Sequence, residues 1–168
     1  MKPLGYMKWN IKDLAQSMQL TVNEVNEYFR DGRRGSFLME LTLAKVLNGT
    51  LSRTGDSFDL TLSGTQKWEI RSLTTRISFA NSNNKGKGRV FNEDNFLGKL
   101  DSIAGYIVTD LNNFPNVPYY KIDAEIVRNW YLNYKNKKKF PKGQVSETTD
   151  KAAEIPLLKM RKLLSQLI

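Results

Sequence analysis

The sequence contains neither cysteine nor histidine among its 168 residues. The lack of cysteine excludes disulfides and thiolate metal sites. The lack of histidine excludes imidazole zinc ligands, Ser-His triads and a histidine general base. Any metal that this chain binds must therefore be a hard cation held by oxygen atoms, such as Mg²⁺ or Mn²⁺.

Long apolar runs are missing too. No segment approaches the roughly 18 consecutive apolar residues that span a bilayer, and the N-terminus lacks the hydrophobic stretch of a signal peptide. We therefore expect a protein that has no membrane partner and stays in the cytoplasm, where it is made.

The composition indicates a folded protein with a basic surface. Hydrophobic residues make up 40% and aromatic residues 11%, which is typical of a globular core. Lysine and arginine number 26 against 17 acidic residues, so the formal charge is +9. This surplus favours a polyanionic partner, most simply nucleic acid, although a merely basic soluble protein is the simpler alternative.

The clearest local pattern is a predicted β-hairpin formed by residues 56–62 and 67–73. Side chains alternate across a strand, so the even-numbered apolar residues are predicted to share one buried face. Asp59, Glu69 and Arg71 then share the other, polar face. A cross-strand ion pair on an exposed strand is the simpler alternative for these three charges. The apolar set consists of Phe58, Leu60, Leu62, Trp68 and Ile70.

An N-terminal helical hairpin is predicted before this sheet. Asn10 is a suitable N-cap for a helix over 11–18, and Thr21 with Glu24 forms a capping box for a second helix that ends at Asp31-Gly32. The pair is either helix-turn-helix-like or an ordinary helical hairpin packed on the main domain. Its end carries three arginines that suit phosphate contacts, namely Arg30, Arg33 and Arg34. We accordingly divide the chain into a helical appendage, 1–34, and a core domain, 35–168.

The remaining elements alternate between helices and strands. We predict helices over 35–47 (carrying Glu40), 92–103 (carrying Lys99), 124–134 and 155–168, and strands over 67–79, 106–110 and 119–122. This order predicts an α/β (α+β) fold with a mixed central sheet flanked by helices.

Two basic segments are candidates for phosphate contacts. The first is the glycine-bearing loop 81–88 with its flank, and the second is the loop 136–143. Each is either a solvated loop or a DNA-contacting arm. The residues concerned are Lys85, Lys87, Arg89, Lys137, Lys138 and Lys139.

The sequence contains a recognisable series of residues and elements. It consists of a glutamate on a helix (Glu40), an aspartate on a strand (Asp59), Glu69-x-Arg71 on the next strand, and then a helix and a strand. This series resembles the PD-(D/E)XK nuclease superfamily and spans about residues 35–125. The resemblance implies a restriction-endonuclease-like fold.

The resemblance also implies site roles. Asp59 would be the principal metal ligand and Glu69 the second ligand, and the Ile70 carbonyl would supply a third oxygen. Glu40 would help to hold the metal or a water molecule. Arg71 stands where the family usually has lysine, the group thought to orient the attacking water and to stabilise the charged transition state.

Two departures from the family pattern matter. Phe58 replaces the proline before Asp59, which the family tolerates. Arg71 cannot act as a base, because a guanidinium does not deprotonate at working pH, but it can supply charge and a forked hydrogen bond. Lys99, or alternatively Lys67, could supply the missing ammonium group.

Three functions follow as hypotheses. The first is a Mg²⁺-dependent (or Mn²⁺-dependent) DNA endonuclease of the restriction type or encoded by a phage, acting as a homodimer because two strands must be cut. The second is a catalytically inactive nuclease-fold protein that binds DNA. The third is a structural or interaction protein whose basic surface meets another acidic partner.

Overall fold

Six strands form the central sheet of the computed structural model, which describes residues 2–52, 58–79, 92–137 and 154–166. The spatial order is β1-β7-β6-β4-β3-β2, and among these strands only β4 and β6 pair in parallel. The described strands are β1 (Gly5–Lys8), β2 (Thr50–Leu51), β3 (Leu60–Leu62), β4 (Gln66–Leu73), β5 (Arg76–Ser78), β6 (Gly105–Asp110), β7 (Asn116–Asp123) and β8 (Glu154–Pro156). The described helices are α1 (Ile11–Met18), α2 (Val22–Arg30), α3 (Gly32–Val46), α4 (Glu93–Ser102), α5 (Ala124–Lys137) and α6 (Leu157–Gln166).

The sheet is covered by helices on both faces. All six residues of β6 are buried, which is typical of a strand with helices on either side. Residues from α1, α2 and α3 pack with Leu60, Trp68 and Ile107 in one hydrophobic core. Residues from α4, α5 and α6 pack with Tyr106 and Val108 in the other. The predicted class, a mixed sheet flanked by helices, is confirmed in these terms.

The hairpin register agrees with the alternation in the sequence. Leu60 lies opposite Trp68 and Leu62 opposite Gln66, and Leu60, Leu62, Trp68 and Ile70 all lie in the core that α1–α3 cover. The prediction for Phe58 is wrong, because it packs against the opposite core. The regular strand begins only at Leu60, after a bend at Asp59, so the alternation does not extend back to Phe58.

The N-terminal segment contributes to the same sheet. The predicted helical pair is present as α1 and α2, with Asn10 and the Thr21–Glu24 capping box at their starts. In addition, β1 pairs with β7 at the edge of the sheet, and Val25 lies in the α1–α3 core. Helix α3 runs across the predicted domain boundary at residue 34, and that boundary stays a prediction.

Several other element bounds were predicted wrongly. Helix α3 begins at Gly32 instead of Gly35, and α5 continues through Lys137, so the start of the predicted loop 136–143 is helical. The predicted strand 67–79 breaks after Leu73, because β5 pairs with β8 in a separate two-stranded sheet. The closing helix accordingly begins at Leu157, since the preceding residues form β8.

Candidate functional site

The hairpin holds Asp59 against the backbone of β4. The Asp59 amide donates to the Trp68 carbonyl at 3.0 Å, and one carboxylate oxygen, Oδ2, accepts from the Ile70 amide at 2.7 Å. These two hydrogen bonds fix the aspartate at the entrance to β3, beside the part of β4 that carries Glu69 and Arg71.

Glu69 is a buried carboxylate between two cations. Its residue is 5% exposed. Oε1 lies 2.5 Å from Arg71 Nη2, and Oε2 lies 2.5 Å from Lys99 Nζ. Lys99 reaches it from α4 and is itself buried. A surface ion pair therefore does not describe this contact, because α4 covers the face of the sheet on which these charges lie.

Arg71 joins the two carboxylates of the hairpin. Its Nη1 donates to the Ile70 carbonyl at 3.0 Å and lies 3.9 Å from Asp59 Oδ2. Since Nη2 is bound to Glu69, a single guanidinium contacts all three acceptor groups.

Glu40 approaches the cluster from α3, whose buried Met39 and Leu43 face the sheet. Burial raises the pKa of Glu40 to about 7, and the negative charges of Asp59 and Glu69 act in the same direction. The positive charge of Arg71 lowers it. The carboxyl group is thus close enough for the charges of Asp59, Glu69 and Arg71 to shift its pKa, and it binds a proton at a higher pH than an ordinary glutamate does.

The pKa of Asp59 is shifted by the same kinds of interaction. Its burial, and then the charge of Glu69, raise its pKa, while the Ile70 amide, Arg71 and Lys99 lower it. With every group ionised, the three carboxylates exceed the two cations by one negative charge.

One neighbour of this cluster did not emerge as a site residue from the sequence. Tyr106 lies beside Glu69 in the parallel register of β4 and β6, and its hydroxyl donates to the Phe79 carbonyl at 3.1 Å. Burial raises its pKa, so it stays protonated and keeps its hydrogen bond to Phe79, the residue that follows β5. Only the pairing of two strands distant in sequence could have revealed it.

Not every predicted site residue joins the cluster. Lys67 instead places its Nζ 5.2 Å from the centre of the Phe58 ring. Arg30 is exposed at the end of α2. Arg33, Arg34 and Lys137 lie in helices whose side chains at these positions are outside the description, and Lys85, Lys87, Arg89, Lys138 and Lys139 lie outside the described residues. Their contacts with nucleic acid stay predictions.

A separate cavity of about 500 Å³ lies at the end of β6, against β1, β7 and α6. It is bordered by Asp110 and Arg161, which pair with each other at 2.8 Å. None of the five charged side chains of the cluster lines it. The Asp110–Arg161 ion pair links α6 to the end of β6, so these two charged residues have a structural role.

The donor set of the cluster fits a hard divalent cation in kind. Asp59, Glu69 and Glu40 offer carboxylate oxygens and Ile70 a carbonyl, which are the ligands that Mg²⁺ prefers. Burial is the main cause of the raised pKa values of Asp59 and Glu40, and the charge of Glu69 raises both further, so a cation placed there would offset this repulsion. As arranged, however, no group of three or more acidic side chains within the described segments is disposed to hold a metal ion. Arg71 takes up the space among the acceptors.

Two further findings concern membrane-spanning helices and similarity to known proteins. No helix in the described segments is both long enough and apolar enough to cross a membrane. No family model matches the sequence, and no curated protein matches it either.

Proposed function

We propose that this protein is a Mg²⁺-dependent DNA endonuclease with a restriction-endonuclease-like fold. The observation that carries the proposal is the meeting of Asp59, Glu69, Arg71 and Lys99 in one partly buried cluster, whose charges also act on Glu40 of α3. These residues come from three regions of the sequence that the resemblance to PD-(D/E)XK nucleases joins. The order of elements supports the same fold, since α3 is followed by three strands of the central sheet (β2, β3 and β4), the short strand β5 of the second sheet, helix α4 and strand β6.

Hydrolysis of a phosphodiester needs neutralised phosphate charge, an activated water molecule and a stabilised leaving oxygen. A bound Mg²⁺ ion would supply charge neutralisation and lower the pKa of water. Asp59, Glu69 and the Ile70 carbonyl would hold this ion, and Glu40 would hold the attacking water molecule. Mn²⁺ has the same preference for oxygen and would substitute for it.

Glu40 also suits proton transfer from the attacking water. A general base is most effective when its pKa lies near the working pH, and burial raises the pKa of Glu40 to about 7. Its place on α3, at the border of the cluster, leaves the carboxyl group partly accessible to solvent.

The two cations have different parts in this proposal. Arg71 offers a forked donor that stabilises negative charge on a phosphate, but it cannot accept a proton. Lys99 supplies the ammonium group that the family's lysine would otherwise provide, although it comes from α4 and not from β4. Its contact with Glu69 positions that carboxylate.

DNA would be held by the basic parts of the chain outside the cluster. The formal charge of +9 supports attraction to the phosphate backbone. The α1–α2 pair and the segments 85–89 and 137–139 are the proposed contact regions, and a homodimer would place one cluster against each strand.

A catalytically inactive DNA-binding protein is the second candidate, and one observation favours it. Arg71 and Lys99 occupy both oxygens of Glu69, and Arg71 also binds the Ile70 carbonyl. A cluster whose central carboxylate is paired with two cations would stabilise the fold without binding a metal ion.

Nicking of a supercoiled plasmid separates the two candidates. We expect cleavage with Mg²⁺ or Mn²⁺ and none with EDTA. Asp59→Asn should lose at least about 10- to 100-fold in activity, because replacing even the outer partners of metal ligands costs this much. Glu125→Gln is the matched control, because Glu125 is an exposed acid on α5 that pairs with Arg128, and it should cut like the wild type.

The outcome that rejects the nuclease is equally clear. A folded wild-type protein that binds DNA but never nicks it with either metal leaves the second candidate. If Asp59→Asn cuts as fast as Glu125→Gln, the activity resides elsewhere in the chain.

A further inference from the structure

We propose that Arg71 competes with the divalent cation for the same oxygen atoms, and that a DNA phosphate removes this competition by binding Arg71 itself. Metal and DNA would then bind cooperatively. This inference rests on the proposed nuclease function and adds a rule for how its site is loaded.

The competition follows from the contacts of one guanidinium group. Nη2 lies 2.5 Å from Glu69 Oε1, and Nη1 donates to the Ile70 carbonyl at 3.0 Å. Nη1 also lies 3.9 Å from Asp59 Oδ2. These three groups are the ones assigned to the cation. An ion bound among them would therefore overlap with the Arg71 guanidinium and would be repelled by its positive charge.

Arg71 is better placed to move than Lys99. The side chain of Arg71 is 19% exposed, whereas that of Lys99 is 7% exposed. If Arg71 swings outward, Glu69 keeps its contact with Lys99 through Oε2. The buried carboxylate therefore retains a cationic partner, which limits the cost of releasing Arg71.

A phosphodiester is a matched alternative partner for the released side chain. Guanidinium binds phosphate through two parallel hydrogen bonds, as it binds a carboxylate. Contact between Arg71 and the backbone of DNA would vacate Glu69 Oε1 and the Ile70 carbonyl together. The site would then bind a cation mainly when nucleic acid is present.

Linkage makes this inference quantitative. If DNA raises the affinity for metal by some factor, metal raises the affinity for DNA by the same factor. We expect at least about a tenfold effect, within the 5- to 150-fold range common for coupled sites.

The direct test measures Mn²⁺ binding by electron paramagnetic resonance, with and without a short DNA duplex. For the wild type we expect weak binding alone and at least about tenfold tighter binding with DNA. Arg71→Gln should bind Mn²⁺ tightly without DNA and gain little when DNA is added. Arg128→Gln is the matched control, because Arg128 is a similarly exposed, paired arginine (22% exposed) on α5, and it should behave like the wild type.

Three outcomes overturn the inference, and one of them also overturns the proposed function. Equal Mn²⁺ affinity of the wild type with and without DNA excludes the coupling, and this holds even if Arg71→Gln does not fold. Equal affinity of Arg71→Gln and Arg128→Gln without DNA excludes the competition, while loss of binding in Asp59→Asn would still support the metal site. If no folded variant binds Mn²⁺ under any condition, the metal-dependent nuclease is rejected along with the inference.

Discussion

At the scale of single residues, Glu69 determines how the charges of the cluster are arranged. It accepts from Arg71 on its own strand and from Lys99 on α4. Removing one partner of a buried ion pair costs about 3–5 kcal/mol, because the other charge is left unpaired. Glu69 therefore stabilises the fold in addition to any role in the reaction. Consequently, loss of activity in a Glu69 variant would not by itself identify a metal ligand. For this reason Asp59, which is more accessible, is the better position for the activity test.

Glu40 makes the stability of the protein depend on pH in a definite direction. Its pKa is raised from an ordinary value of 4.5 to about 7, so the folded state binds more protons than the unfolded state between these values. The contribution of Glu40 to stability therefore falls as the pH rises from 4.5 to 7. Glu40→Gln should flatten this decline, as measured by urea unfolding in EDTA across that range.

Glu24 provides the control for this pH measurement. Its pKa is lowered from 4.5 by its hydrogen bonds to Thr21, so its favourable contribution is lost only as the pH falls below that value. Glu24→Gln should leave the decline between pH 4.5 and 7 unchanged. If Glu40→Gln declines as steeply as the wild type, the proposed environment of Glu40 is wrong.

At the scale of elements, the first helices show how strongly a local pattern can determine structure. Thr21 Oγ1 accepts from the Glu24 amide at 3.2 Å, and the Glu24 carboxylate accepts from the Thr21 amide at 2.8 Å. Thr21→Ala should lower the free energy of unfolding by about 1 kcal/mol, since one N-terminal amide loses its acceptor. Urea unfolding of the purified variant measures this change.

Thr21→Ser is the matched variant for the capping prediction. It keeps the hydroxyl acceptor and should stay within about 0.5 kcal/mol of the wild type. Alanine and serine variants of equal stability would show that the capping box does not stabilise α2.

The same local reasoning explains which elements the sequence could predict. Caps and apolar periodicity lie within a few residues of each other, so α1, α2 and α4 were predicted almost to the residue. The strands β1 and β8 are short and depend on partners distant in sequence, and β2 has only two residues. For example, Tyr6 and Met7 form a strand only because β7 lies beside them. No local pattern carries that information.

The contacts of the candidate site also differ in whether the sequence could predict them. Alternation placed Asp59 and Glu69 side by side, because a hairpin is a local structure. The sequence could suggest a position for Lys99 beside the hairpin only as one of two alternatives, because this position depends on how α4 packs against the sheet. The way Arg71 folds back over the Ile70 carbonyl was not predictable at all, because it is a choice of side-chain conformation.

At the scale of the whole molecule, the sheet divides the protein into two cores while the charged cluster gathers groups from both sides. Met39 and Leu43 anchor α3 in one core, and Phe96 and Leu100 anchor α4 in the other. Glu40 and Lys99 approach β4 from these two helices. A change in the packing of either helix would therefore alter the cluster, even without a change in the charged residues themselves.

The positive charge of the whole chain predicts how DNA binding responds to salt. Each phosphate that a protein neutralises contributes about 0.9 to the slope of log affinity against log salt concentration. Replacing Lys85, Lys87 and Arg89 by glutamine should reduce that slope by about 0.9 for each phosphate that is no longer neutralised, and should weaken binding to unrelated sequences equally. Fluorescence anisotropy with a labelled duplex, titrated between about 50 and 200 mM salt, measures both effects.

A second triple variant separates specific phosphate binding from overall charge. Lys12, Lys45 and Lys162 are exposed on three different helices, and replacing them by glutamine removes the same three charges from the formal total of +9. If segment 85–89 contacts phosphates, its variant must lower the slope more than this control does. Equal slopes would mean that the chain attracts DNA only through its net charge, and the segment would then have no place in the proposed interface.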